Sequence, residues 1–281
     1  MFGLALEAVA RSHTGWVRDS NQDTYVCEPT TGVFAVIDGM GGHASGEVAA
    51  AIARKHLVDA SGDLTERMLA ASDEIRATAA GCLGHRGMGC VATAAVIHRG
   101  RLRLAHVGDT RAYLASKAGC ELLTRDHVRA GDAGGALTAD LGRSGLCAVD
   151  VDDVEVDVDD GDLLLLCSDG LYDLVPGPEL MARLRTAWRE GLDPATVVDR
   201  FIRLALDRGG TDNVTVVVVR MKRRPLLWWL GAAAALVLLG AAASQLGAPA
   251  PSQVVWDPVS FAPVEDTGVA TADLQAMEDP P

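Results

Sequence analysis

Lysine is nearly missing from this chain. Only Lys55, Lys117 and Lys222 occur in 281 residues, and 25 Lys and Arg face 38 Asp and Glu. A phosphate backbone demands a basic face, so this balance argues against nucleic acid as a partner. No CxxC pair occurs among the six cysteines, Cys27, Cys82, Cys90, Cys120, Cys147 and Cys167. That excludes the usual spacing of a zinc site, and in a chain this long it excludes a disulfide framework; the cysteines read as reduced, partly buried thiols. The opening MFGLALEAVARSHTG has neither a basic start nor a long apolar run, so no signal peptide is expected there. Beyond residue 246 there is no Lys or Arg, although six of the acids lie there. No internal repeat is found.

Long apolar runs are also scarce, with one exception. Leu226 to Leu246 is free of charge over 21 residues. At about 1.5 Å per residue such a helix reaches ~30 Å, one hydrocarbon core. Arg220, Lys222, Arg223 and Arg224 precede it, and Trp228 and Trp229 lie at the same end. Basic residues favour the cytoplasmic side and indoles the interface. The expectation is therefore a single-pass protein of the cytoplasmic membrane. It would have a cytosolic domain over 1–220, a basic juxtamembrane segment over 221–225, a transmembrane helix over 226–246 and a short acidic, Pro/Ala-rich tail over 247–281.

Within residues 1–220 the apolar periods alternate between strand and helix character. Strands are expected over 4–10, 24–27, 33–37, 91–98, 102–107, 111–115, 154–158, 163–167 and 214–219. Helices are expected over 44–59, after the Asp63/Glu66 capping pair, from Pro178 to about Glu190, and after the Asp193–Pro194 start signal. Strands come in hairpins and helices in consecutive pairs, unlike the strict alternation of a parallel sheet. The expected fold class is α+β: two antiparallel sheets packed as a central sandwich, flanked by helix pairs, plus one C-terminal transmembrane helix.

Four aspartates carry the chemistry. They lie in NQD (21–23), IDGMGGH (37–43), CSDG (167–170) and GGTDN (209–213), and two of them follow strongly apolar runs, 34–37 and 163–167. A carboxylate at the end of a buried strand is costly unless something pairs with it. No basic residues are interleaved, so a shared cation is the simplest partner. Mg²⁺ and Mn²⁺ take oxygen ligands of this kind. The residues alone suggest a two-metal hydrolase site assembled from distant strand ends.

Six segments, in order, resemble the type 2C (PPM-type) family of metal-dependent Ser/Thr protein phosphatases, in its bacterial branch: TGWVRDSNQD (14–23), FAVIDGMGGHASGE (34–47), AHVGDTRAYL (105–114), LTRDH (123–127), DLLLLCSDGL (162–171) and GGTDNVTVVVV (209–219). The resemblance covers residues 4–220. It implies two Mn²⁺ or Mg²⁺ ions bridged by Asp38, with the Gly39 carbonyl assisting one of them. Asp169 and Asp212 would hold the first ion, and Asp23 would support the second, partly through water. Asp126 would match the ligand of a third, weaker ion. Arg18 would bind the substrate phosphate as a bidentate fork. His43 is either a proton donor to the leaving hydroxyl or a supporting residue. Asp109 reads as a turn or supporting residue. The chain departs from the family pattern at His13, at Cys90–Val91, and in the short, Gly-rich stretch from Val128 to Ala136, where a longer helical flap is usual.

The function this implies is hydrolysis of phosphoserine or phosphothreonine on protein partners, in opposition to a Ser/Thr kinase. The alternative is a catalytically weak phosphatase fold that binds phosphoproteins as a scaffold. A two-metal hydrolase of small phosphate esters is a third reading.

Overall fold

The computed structural model describes residues 4–41, 45–59, 62–81, 87–129 and 136–223. The chain divides into two units, Met1–Trp228 and Trp229–Pro281, and the second lies wholly outside the described residues.

Two five-stranded antiparallel sheets form the centre of the first unit. One has the order β1 (Leu4–His13), β10 (Val214–Arg223), β9 (Leu163–Cys167), β6 (Arg111–Ala115), β7 (Cys120–Leu122). The other runs β2 (Asp23–Glu28), β3 (Val33–Met40), β4 (Gly89–His98), β5 (Arg101–Val107), β8 (Asp152–Asp157). Helices α1 (Ser45–Leu57) and α2 (Leu64–Gly81) cover the second sheet. Helices α4 (Gly177–Arg189) and α5 (Pro194–Asp207) cover the first, and a single turn, α3 (Asp169–Tyr172), follows β9.

The period of two in a strand explains why the central strands are apolar throughout. Val33, Ala35 and Ile37 pack under α1 and α2, while Phe34 and Val36 between them face the other sheet. On β9, Leu163, Leu165 and Cys167 meet α4 and α5, and Leu164 and Leu166 face the sandwich. Strands buried on both faces read as continuous hydrophobic runs. The edge strand β8 shows the opposite pattern: Val154 and Val156 turn inward, and Glu155 faces out to Arg101 and Arg103. Asp63 caps α2 by accepting from the Thr65 and Glu66 amides, and Asp193 caps α5 by accepting from Thr196 N–H at 2.9 Å.

The expected sandwich with flanking helix pairs is therefore present. The strand β7 and the turn α3 were not anticipated; both are too short for a periodic signal. Of the cysteines, Cys90 and Cys167 are buried, Cys27 and Cys120 are half-buried, Cys147 is exposed, and Cys82 lies outside the described residues. No helix among the described residues is long and apolar enough to cross a membrane, and the run 226–246 lies outside them.

Candidate active site

The site sits at one end of the sandwich, where the strand parity that buries Phe34 and Val36 also turns Asp38 inward. Asp38 is directly opposite Asp23 in the β2–β3 ladder. Like charges in that position repel. Asp23 is only 8% exposed. One of its oxygens accepts from Thr215 Oγ1 at 2.6 Å and from Ser168 Oγ at 2.8 Å, which ties β2 to the other sheet. Its other oxygen, Oδ1, is buried without a hydrogen-bond partner. Burial pushes the Asp23 carboxyl up to about 6, against the two hydroxyl hydrogen bonds that favour its charged form. Asp38 is driven well above the ordinary range by burial and then by Asp23 and Asp169.

Asp169 opens α3 directly after the buried β9, and burial with the neighbouring Asp109 and Asp212 raises it to about 7. Asp212 stands at the end of the 209–213 loop and pairs with Arg18 at 2.6 Å. Asp38, Asp169, Asp212, Asp109, Gly39 and Arg18 all line one open cavity of about 880 Å³. Arg18 is exposed at its rim.

The loop that carries Arg18 is fixed by Asn213. Its buried side-chain amide donates to the carbonyls of Thr14 and Ser20, both at 2.9 Å, and its oxygen accepts from Gln22 N–H at 2.8 Å. Gly39 must be glycine for another reason. A Cβ there would stand 2.2 Å from the Gly46 carbonyl oxygen and 2.7 Å from that of Gln22. The absence of a side chain lets α1 close onto the strand end beside Asp38.

The structure brings Arg18, Asp38, Gly39, Asp169 and Asp212 together in the cavity, with Asp23 directly behind Asp38. Asp126, expected to match the ligand of a third, weaker ion, is paired with a cationic side chain. Arg111 binds both its oxygens, with Nη2 at 2.6 Å and Nε at 3.0 Å, and stacks 3.6 Å above the Tyr172 ring. Asp109, expected to be a turn or supporting residue, lines the cavity. It has no ion-pair partner among the described residues, and burial followed by Asp126 raises it to about 6. Its place beside Asp169 depends on the fold, and no local pattern signals it. Ser168, Thr215 and Asn213 were missed as supports, although all three lie inside the quoted motifs. His43 lies outside the described residues. The stretch after His127 is closed at its base, where Val128 bridges to Leu137, and residues 130–135 lie outside the described set.

These residues fit a divalent cation. Desolvated carboxylates face a polar cavity in which Arg18 makes the ion pair with Asp212, and behind them Asp23 keeps a buried oxygen without a partner. Among the described residues no three Asp, Glu, His or Cys side chains converge closely enough to enclose an ion alone.

Residues 30–222 match the family described as Stage II sporulation protein E. The serine/threonine phosphatase stp of Listeria monocytogenes is 31% identical over 246 residues, covering 76% of this chain and 95% of that protein. The chain belongs to the type 2C family of metal-dependent Ser/Thr protein phosphatases. The serine/threonine protein phosphatase PstP of Mycobacterium tuberculosis is 35% identical over 237 residues, which cover 76% of this chain but only 45% of PstP. The crystal structure of the PstP catalytic domain in complex with two manganese ions superposes with a TM-score of 0.68 at 30% identity, covering 78% of this chain and 99% of that one. PppA of Pseudomonas aeruginosa, described as a regulatory component of a type VI secretion system, superposes with a TM-score of 0.69 at 28% identity, with 78% and 99% covered.

Proposed function

We propose that this protein is a membrane-tethered Ser/Thr protein phosphatase that hydrolyses phosphoserine and phosphothreonine on protein partners. The observation that carries this reading is the Asp23–Asp38 pair: two carboxylates face each other across a ladder, one with an orphaned buried oxygen, at the back of a cavity rimmed by Arg18. Burying such a pair is unfavourable without a cation.

Asp38 would hold two Mn²⁺ or Mg²⁺ ions, with Asp169 and Asp212 on the first, Asp23 supporting the second and the Gly39 carbonyl assisting one of them. Bound there, the ions supply a water of lowered pKa and neutralise charge on the transferred phosphoryl group. The protein's own residues do the rest. Arg18 leaves Asp212 and forks onto two phosphate oxygens, for which a planar guanidinium is suited. Ser168 and Thr215 keep Asp23 oriented and ionised by donating to one of its oxygens. Asn213 keeps the Arg18 loop in place while the guanidinium swings.

The apolar run 226–246, with its basic flank, supports anchoring by a single transmembrane helix with the phosphatase domain in the cytosol. Tethering raises the local concentration of membrane-bound substrates. A membrane Ser/Thr kinase is the partner whose product this site would consume. The test is phosphate release from a phosphothreonine peptide by the full chain with Mn²⁺, with Mg²⁺ and with chelator. Metal-dependent release supports the reading. A folded protein that binds the peptide without releasing phosphate under any of the three conditions makes it a phosphoprotein-binding scaffold.

A further inference from the structure

The large apolar side chains exposed among the described residues are Trp16, Val17, Leu122 and Val149, and only the first two are neighbours. Trp16 and Val17 are each 66% exposed, immediately before Arg18. Exposure here does not mean looseness. The Trp16 amide donates to the Gly210 carbonyl at 2.7 Å, and its indole Nε1–H donates to the Leu206 carbonyl at 3.1 Å. The ring meets His13 edge-on at 5.2 Å. It also lies so close to the Gly210 backbone that a Cβ there would be 2.7 Å from the indole Cδ1. A large apolar face is thus held rigidly in water. Rigid, preorganised aromatic faces bind partners at low entropic cost.

The position of this pair indicates the partner. Val17 lines the catalytic cavity together with Arg18. Trp16, the preceding residue, lines a second groove of about 560 Å³, with Ile202 and Leu206 of α5 as its apolar side. An extended peptide advances ~3.3 Å per residue, so a chain whose phosphate sits on Arg18 passes Val17 and Trp16 within its next few residues. We propose that Trp16 and Val17 form a docking ledge for the substrate chain, on which an apolar side chain within three residues of the phosphorylated Ser or Thr packs. This rests on the reading of the site as a protein phosphatase.

The experiment compares the full chain with Mn²⁺ on phosphothreonine peptides carrying Leu or Gly at each flanking position, and on a small aryl phosphate that cannot reach the ledge. The readout is the ratio of kcat/KM for each peptide to that for the aryl phosphate. Leu at one flank is expected to raise the ratio about five- to tenfold, the scale of one apolar contact in a pocket. Trp16→Ser and Val17→Ser are each expected to erase that gain through KM. Val17→Ser removes none of the hydrogen bonds that fix Trp16, so it remains informative if Trp16→Ser fails to fold. A wild type indifferent to the flank, or a preference that survives Val17→Ser, overturns the ledge and leaves the phosphatase reading intact. So does a Trp16→Ser protein whose sedimentation changes from dimer to monomer, which makes the pair a contact between copies. A wild type that releases phosphate from neither substrate class removes both readings.

Discussion

Arg111 holds Asp126 by two nitrogens while its guanidinium lies over the ring of Tyr172, whose hydroxyl donates to the Asp109 carbonyl at 2.9 Å. The LTRDH motif therefore reaches the cavity through a relay that ends at Asp109, and Asp126 itself serves that relay. Asp126→Asn should lower stability by about 2 kcal/mol, the scale for unpairing a partly buried charge. It should move the Mn²⁺ midpoint of activity little. Asp109→Asn should do the reverse, shifting the Mn²⁺ midpoint with little loss of stability. Thermal melts and Mn²⁺ titrations of the two variants distinguish these roles. An Asp126→Asn protein of normal stability with a weakened Mn²⁺ midpoint would contradict the assignment.

Stability without metal should depend on pH in a direction opposite to that of most acidic proteins. Burial holds Asp23 at about 6 and Asp169 at about 7, both above the unfolded value of ~3.9. The folded state therefore binds these protons more tightly than the unfolded state. Their contribution is fully present below ~3.9 and is lost as pH rises through about 6 to 7. The melting temperature of metal-free protein should fall by several °C between pH 5 and pH 8, given ~2–4 °C per kcal/mol for a domain of this size. Added Mn²⁺ should stabilise most at pH 8, where the carboxylates are ionised. A metal-free melting temperature that climbs over this range would sink the claim that these carboxylates are buried unpaired.

Thr215 and Ser168 lower the Asp23 pKa by donating to it. Thr215→Val removes the bond at 2.6 Å. Asp23 should then hold its proton to higher pH, and Mn²⁺ affinity at pH 6.5 should drop about tenfold, one pKa unit being ~1.4 kcal/mol. The affinity should largely recover by pH 8. Calorimetric titration at both pH values tests this, and an equal loss at both would mean that Thr215 acts through packing alone.

The basic flank and apolar run also make a cellular prediction. The full chain should sediment with membranes and resist extraction by high salt and carbonate, whereas a chain ended at residue 225 should not. Release of the full chain by salt alone would remove the transmembrane helix from the account.

Much of the fold could be read from residue patterns, because its central strands are buried on both faces. Runs such as Leu163–Cys167 and Val214–Val219 leave no other option, and the Asp63 and Asp193 caps mark the helix starts. The four aspartates were legible as motifs, since a carboxylate after an apolar strand is an anomaly in itself. Their relations were not. Asp23 and Asp38 are 15 positions apart, and only the β2–β3 register sets them opposite each other. The Arg111–Asp126 pairing was hidden because Arg111 was read only as the start of a strand. Ion pairing across a hairpin leaves no trace in local spacing. The exposure of Trp16 was equally hidden, because an indole in a turn gives no periodic signal.

A cation is expected to take the place that the unpaired carboxylates leave for it. Direct titration of metal-free protein with Mn²⁺ at pH 8, by calorimetry, is the most immediate test, beside Asp38→Asn. Two ions per chain in the wild type are predicted, with binding lost in Asp38→Asn while its metal-free melting temperature rises, because one of two opposed charges is gone. Wild-type protein that folds but takes up no Mn²⁺, or an Asp38→Asn protein that binds two ions as tightly, would contradict it.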